Sequence, residues 1–273
     1  MKIHPGPVVL AFLPLLLVAA LPQQDKRETP KLTAQEVMAS YQRAIGGDRL
    51  DRVTTMVKKG ETTQGQRHYT WTTFRKAPDL YARHFTESSG QKFSYGFDGK
   101  VLWAVLVRPP KTGQKVSLQG LLDGAPIATE FLLEPYEKAK LSGMKKVAER
   151  RAYAVETTEG PIQRTYYFDS ETFLLLRKEV SVRHGRNVGV SAGREYLSRD
   201  IMEYSDWREV NGIKLPFEIH YTEDLMGGAG IHNDLFERSE GQSRILEWRM
   251  DVSLEQAVFD PPPGSVTQEI QQK

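Results

Sequence analysis

From Ile213 to Thr222 apolar and polar positions alternate, with Ile213, Leu215, Phe217, Ile219 and Tyr221 set against Lys214, Pro216, Glu218, His220 and Thr222. A period of two predicts a β-strand with one face buried and one face wet. Asn211-Gly212 stands just before it, a dipeptide that tolerates positive φ and signals a hairpin. Residues 201–209 supply the partner strand, and a ribbon this long needs further strands for stability. The same alternation recurs in Val53, Thr55 and Val57, in Tyr69, Trp71 and Thr73, and in Tyr81, Arg83 and Phe85 against Leu80, Ala82 and His84. Phe93, Tyr95 and Phe97 lead into Asp98-Gly99, a second hairpin signal. Residues 101–107 are apolar nearly throughout, as expected of a strand covered on both faces. Segments 144–149, 151–158, 162–168, 174–182 and 245–252 complete a set of about eleven or twelve strands. Lys59-Gly60, Gly160-Pro161 and residues 169–172 read as turns between them.

Two stretches carry a helical period instead. Thr33-Ala34-Gln35-Glu36 is a capping box, and Ala34, Val37, Tyr41, Ala44 and Ile45 then fall on one helical face that ends at Gly46-Gly47. Residues 125–139 form the second candidate, with Ile127, Phe131 and Leu132 inward and Pro135 kinking or breaking it. Its place between two groups of strands predicts that it crosses one face of the sheet, with residues 118–140 acting as a lid.

The two hairpin signals leave a register open. A two-residue turn at Asp98-Gly99 puts Phe93 and Tyr95 on the face of Ala104 and Leu102. A three-residue loop with Gly99 as a left-handed bulge puts them with Trp103 and Val101. The same bulge at residues 210–212 puts Trp207 on the face of Leu215. The bulged register is favoured at both places, and a one-residue error would turn every side chain of a strand over.

Composition narrows the chemistry. The 37 Lys and Arg nearly balance 35 Asp and Glu, so no whole-molecule field favours nucleic acid. The absence of cysteine excludes disulfides, thiol nucleophiles, cysteine metal sites and a lipidated N-terminal Cys. Lys2 and His4 precede an apolar run over residues 7–21, and Val18-Ala19-Ala20 offers small residues for cleavage, the pattern of a secretory signal over residues 1–20. A polar leader (21–32), a single domain (33–263) and a flexible tail (264–273) are expected to follow, in a soluble exported monomer.

Chemical motifs are sparse. His68 and His84 lie on neighbouring strands without a carboxylate or third histidine at a telling spacing, so no metal is expected. His220, opposite Met202 or Glu203, reads as a wet-face residue. Asp206 and Arg208 share a strand face and read as a surface ion pair. Residues 227–230 lack the Lys-Ser/Thr of a phosphate loop, no nucleophile elbow is present, and the Lys and Arg of residues 177–194 read as a solvated face. No enzyme activity and no cofactor are expected.

Several motifs together carry a resemblance. They are the Ala-Ile-Gly-Gly end of the first helix, Phe97-Asp98-Gly99-Lys100 with Trp103 behind it, residues 167–172 (YFDSET), residues 206–217 (DWREVNGIKLPF) and the terminal Val258-Phe259-Asp260-Pro261-Pro262. In that order they resemble bacterial outer-membrane lipoprotein-sorting proteins of the LolA/LolB-like fold, over residues 33–263. The resemblance implies a mainly β fold with helices (α+β): a large curved antiparallel sheet, or unclosed barrel, whose concave face is plugged by helices. It also implies a periplasmic location, an apolar cavity for acyl chains, and partner proteins at the inner and outer membranes. No residue of the well-studied carrier's acyl-accepting site can be matched in this chain.

The expected cavity lining is Trp71, Phe93, Tyr95, Trp103, Phe131, Leu215 and Phe217, and the expected ligand is a lipid or the acyl chains of a lipoprotein. Each buried CH₂ holds such a chain from water by about 0.8 kcal/mol. The competing expectations are a sensor or scaffold that binds a protein partner on the same fold, and a small-molecule enzyme using the pocket.

Overall fold

The Thr33 hydroxyl accepts a hydrogen bond from Glu36 N–H at 3.2 Å, and the Glu36 carboxylate accepts one from Thr33 N–H at 2.7 Å, so the capping box opens α1 (Ala34–Ile45) as expected. The computed structural model describes residues 32–106, 118, 138–184, 196–227 and 235–270. The expected signal segment, nearly all of the leader, most of the lid with Phe131, and the glycine-rich stretches 185–193 and 228–230 lie outside them. The buried stripe of α1 is Ala34, Val37, Met38, Tyr41 and Ile45, so Met38 takes the place expected of Ala44.

The strands are β1 (Thr55–Gln64), β2 (Arg67–Lys76), β3 (Leu80–Glu87), β4 (Lys92–Phe97), β5 (Val101–Val105), β6 (Lys140–Val147) and β7 (Arg150–Glu159). β8 (Ile162–Asp169), β9 (Leu175–His184), β10 (Tyr196–Val210), β11 (Ile213–Gly227), β12 (Leu235–Met250) and β13 (Val266–Glu269) follow. Among the described residues all thirteen belong to one sheet, in the order β13-β5-β4-β3-β2-β1-β12-β11-β10-β9-β8-β7-β6. Every pairing is antiparallel. The sheet is not closed, since β13 and β6 stand at its two ends. Antiparallel strands rotate by roughly 20–25° from one to the next, and open sheets beyond about ten strands curl rather than stay flat.

Two meanders thus meet in the middle, where β1 pairs with β12 and Met56 stands opposite Met250. The main core lies on the face that carries α1. There Val37, Tyr41 and Ile45 join Met56, Trp71, Tyr166, Phe168, Leu175, Ile213, Leu215, Phe217, Ile245 and Trp248. The Tyr41 ring lies 5.2 Å from that of Phe168. On the opposite face a smaller cluster joins Ala82 and Trp103 to Phe259, which the C-terminal segment brings beneath them.

The structure differs from the sequence reading in four places. Lys59-Gly60 is not a turn but lies within β1, opposite a bulge in β12 that leaves Leu246 without a partner between Glu247 (opposite Lys59) and Ile245 (opposite Gly60). A Cβ on Gly60 would meet Trp71 at 2.4 Å and the Arg244 carbonyl at 2.7 Å, so only glycine lets the indole lie across the strand. Residues 264–273, expected as a flexible tail, contribute β13, with Val266 opposite Ala104. At the β10–β11 turn Val210 pairs with Ile213, and Asn211 (φ 52) and Gly212 (φ 76) both take positive φ. That is the two-residue turn whose twist matches the flanking strands, so the bulge favoured from sequence is absent. Arg208, not Trp207, therefore stands opposite Leu215.

The fourth difference is the β4–β5 register. Phe97 pairs with Leu102 and Tyr95 with Ala104, which puts Trp103 opposite Gly96 on the other face. The Asp98 side chain fixes this turn by accepting from Lys100 N–H and Val101 N–H, each at 2.8 Å. Gly96 completes it, because a Cβ there would lie 2.6 Å from the Trp103 ring.

Candidate functional site

Residues directly opposite one another in an antiparallel ladder point to the same face. On the α1 face of β1 to β5 the pairings build three parallel rows. The first runs Met250, Met56, Arg75, Tyr81, Phe97, Leu102. The second runs Trp248, Lys58, Thr73, Arg83, Tyr95, Ala104, and the third Ile245, Gly60, Trp71, Phe85, Phe93. Cations and aromatics interleave across the rows, and none of the three contains an Asp or Glu.

The aromatic contacts are close. Phe85 and Phe93 stack at 4.4 Å, Phe85 lies 5.9 Å from Tyr95, and Tyr81 meets Tyr95 edge-on at 5.7 Å. The Arg83 guanidinium lies 4.8 Å from the Trp71 ring centre and 4.6 Å from that of Phe85. Arg75 is buried 4.7 Å over Tyr81, and Lys58 Nζ is 4.8 Å from the Trp248 ring and 5.5 Å from that of Trp71. These are cation–π distances, strongest where water is excluded. Burial, and then the neighbouring Tyr95, hold the Tyr81 phenol above its ordinary pKa range. It is a neutral hydroxyl at any physiological pH.

Trp71, Phe93 and Tyr95 therefore share one face. Leu215 and Phe217 belong to the same core as Trp71 but are packed with α1, Leu215 at 1% exposure. Trp103 is on the opposite face, fully buried, with its indole N–H donating to the Phe259 carbonyl at 2.8 Å. Lys58, Arg75 and Arg83, none of them among the expected lining residues, stand among the aromatics. Alternation alone places Arg83 beside Tyr81 and Phe85. Finding Lys58 and Arg75 needs the β1–β2–β3 register, which one strand's periodicity does not carry.

The remaining candidates lie outside these three rows. Arg208 and Asp206 form an exposed ion pair with Nε–Oδ1 at 2.9 Å, and the guanidinium lies 4.5 Å over the Phe217 ring. His220 is exposed opposite Glu203, as expected. His68 is 3.7 Å from Glu61. His84 pairs with Thr72, four residues from His68 along β2, which is about 13 Å of strand. Burial lowers the His84 pKa, and it lies between Phe74 and Trp103 on the opposite face. Among the described residues no cluster of three His, Asp or Glu is arranged to hold a metal ion. On β9 Arg177 Nε donates to Glu203 at 3.0 Å, and Glu179 accepts from Arg199 of β10 at 3.1 Å. Beside them Asp224 takes a two-point contact from Arg238 at 2.8 and 3.1 Å, whose hydrogen bonds hold its carboxyl below the usual range. On this face the opposite charges satisfy one another locally, and Asp224 is buried among them.

No protein-family model and no curated protein matches the chain. Among solved structures, a DUF1329 family protein from Desulfovibrio piger ATCC 29098 is 14% identical, with a TM-score of 0.46 over 82% of this chain and 97% of that one. MucB in complex with MucA(peri) is 10% identical, with a TM-score of 0.22 over 81% of this chain and all of that one. The Pseudomonas aeruginosa MucA/MucB complex gives the same identity and TM-score over 79% of this chain. Likeness at these levels fixes no function. No helix among the described residues is long and apolar enough to cross a membrane.

Proposed function

We propose that the protein is a periplasmic carrier or binder of acylated cargo, holding it without covalent chemistry on the α1 face of a curved, LolA-like sheet. The observation that carries this reading is the partly exposed stack of Phe85, Phe93 and Tyr95, continuous on one face with the core built around α1. Aromatic rings left partly open beside a core offer a surface on which methylene groups leave water, at about 25 cal/mol per Å² buried. The cations among them fit an amphiphile better than a neutral hydrocarbon. A second reading, a scaffold for a protein partner, is favoured by β6, which among the described residues ends the sheet with one side of its backbone unpaired by a strand.

The two faces of β4 separate the readings. Fluorescence titration with dansyl-undecanoate is expected to show saturable uptake by the wild type. Phe93→Asp should weaken it by about tenfold or more, the equivalent of one buried aromatic side chain. Ser94→Asp, one residue on and facing the other way, should leave it within about threefold. Equal effects of the two variants, or no uptake by the wild type, would overturn the proposal.

A further inference from the structure

The middle row, Trp248–Lys58–Thr73–Arg83, joins four hydrogen-bond donors across four adjacent strands. Three of them have buried polar atoms without a partner among the described residues: Trp248 Nε1, Thr73 Oγ1 and Arg83 Nε. Thr73 is 1% exposed and Trp248 7%. Buried donors are almost always paired, and leaving one unpaired destabilises the fold. Three in one row of one sheet face mark a place built for acceptors that the chain's described residues do not supply. The row's sign is also fixed, because guanidinium and ammonium groups only donate, and neither this row nor the two beside it holds a carboxylate. Thr73 lies between Lys58 and Arg83 in register, and the ends of both lie near the Trp71 ring, at 5.5 and 4.8 Å.

We propose that Thr73, Arg83 and Trp248, with the Lys58 ammonium beside them, form a subsite for an anionic, oxygen-rich head group, phosphate or carboxylate, whose apolar tail lies along Phe85 and Phe93. The subsite rests on the reading of this face as the cargo surface and adds the head-group chemistry to it. Arg83 supplies a planar, permanently charged fork. Thr73 and Trp248 add neutral donors that fix orientation, and the flanking aromatics keep water from competing for the same bonds.

The test uses isothermal titration of the full chain with dodecyl phosphate, dodecanoate and the uncharged monododecanoylglycerol, each below its micelle concentration, and with inorganic phosphate alone. The two anionic amphiphiles are expected to bind about tenfold or more tighter than the neutral one. Thr73→Val, which keeps the side-chain shape, and Arg83→Gln should each remove most of that difference, weakening the anionic amphiphiles more than the neutral one. Inorganic phosphate binding that is lost in Arg83→Gln, without uptake of any amphiphile, would uphold the anion subsite and overturn the cargo reading. Equal binding of charged and neutral amphiphiles by the wild type would overturn the subsite and leave the cargo reading standing. Binding of none of the four probes would overturn both.

Discussion

Tyr41→Ala is expected to destabilise the protein by about 3–5 kcal/mol, the usual cost of deleting a fully buried aromatic ring. Tyr41 is 1% exposed, lies on the buried stripe of α1, and packs its ring 5.2 Å from Phe168 on β8. The same core also joins α1 to Met56 on β1, Leu215 on β11 and Ile245 on β12, strands from both meanders. Removing the ring opens a cavity where the helix meets the sheet, and the rigid strands close it only in part. Tyr41→Phe should cost no more than about 1.5 kcal/mol. Gln42→Ala, exposed on the next position of the helix, should stay within about 0.5 kcal/mol. Urea unfolding followed by tryptophan fluorescence measures all three. A loss below about 1 kcal/mol for Tyr41→Ala would mean that α1 does not hold the face it lies on.

Asp169→Ala is expected to cost about 2–4 kcal/mol, because it strands several donors at once. The carboxylate is 2% exposed at the end of β8. Its Oδ1 accepts from Glu171 N–H at 3.1 Å, Thr172 N–H at 2.7 Å and the Thr172 hydroxyl at 2.8 Å, and its Oδ2 meets Arg150 at 2.8 Å. Burial pushes the carboxyl pKa up, but the Thr172 and Glu171 hydrogen bonds and Arg150 outweigh burial and leave it below 3.8. The sign follows. A carboxyl held below its unfolded value stabilises the fold fully above that value and loses its contribution as pH falls through the lower, folded one. The difference in melting temperature between wild type and Asp169→Ala should therefore be full at neutral pH and shrink below about pH 4. A difference that is constant from pH 7 to pH 3 would show that the charge on Asp169 contributes nothing.

Local chemistry was legible in the sequence. The Thr33–Glu36 capping box, the glycine stop at Gly46, and hairpins at Asp98-Gly99 and Asn211-Gly212 are all in place, because each is settled by neighbours in the chain. What failed was parity. The single choice between turn types at β4–β5 moved Trp103 from the expected lining to the far face, where Gly96 makes room for it. What was missing was register between strands distant in sequence. Trp248, Lys58 and Thr73 lie in three separate segments, and no periodicity within one segment shows that they stand side by side. Gly60 misled for a related reason: as a local signal it reads as a turn, while its actual cause is Trp71 on the neighbouring strand.

The central claim is that this face carries an amphiphile. Native mass spectrometry of the full chain, purified from the cell envelope that produces it, tests that claim most directly. The account predicts bound species whose masses differ in steps of CH₂ units and which are shed by Phe93→Asp. A bare protein mass, under conditions that preserve a reference lipid complex, would contradict it.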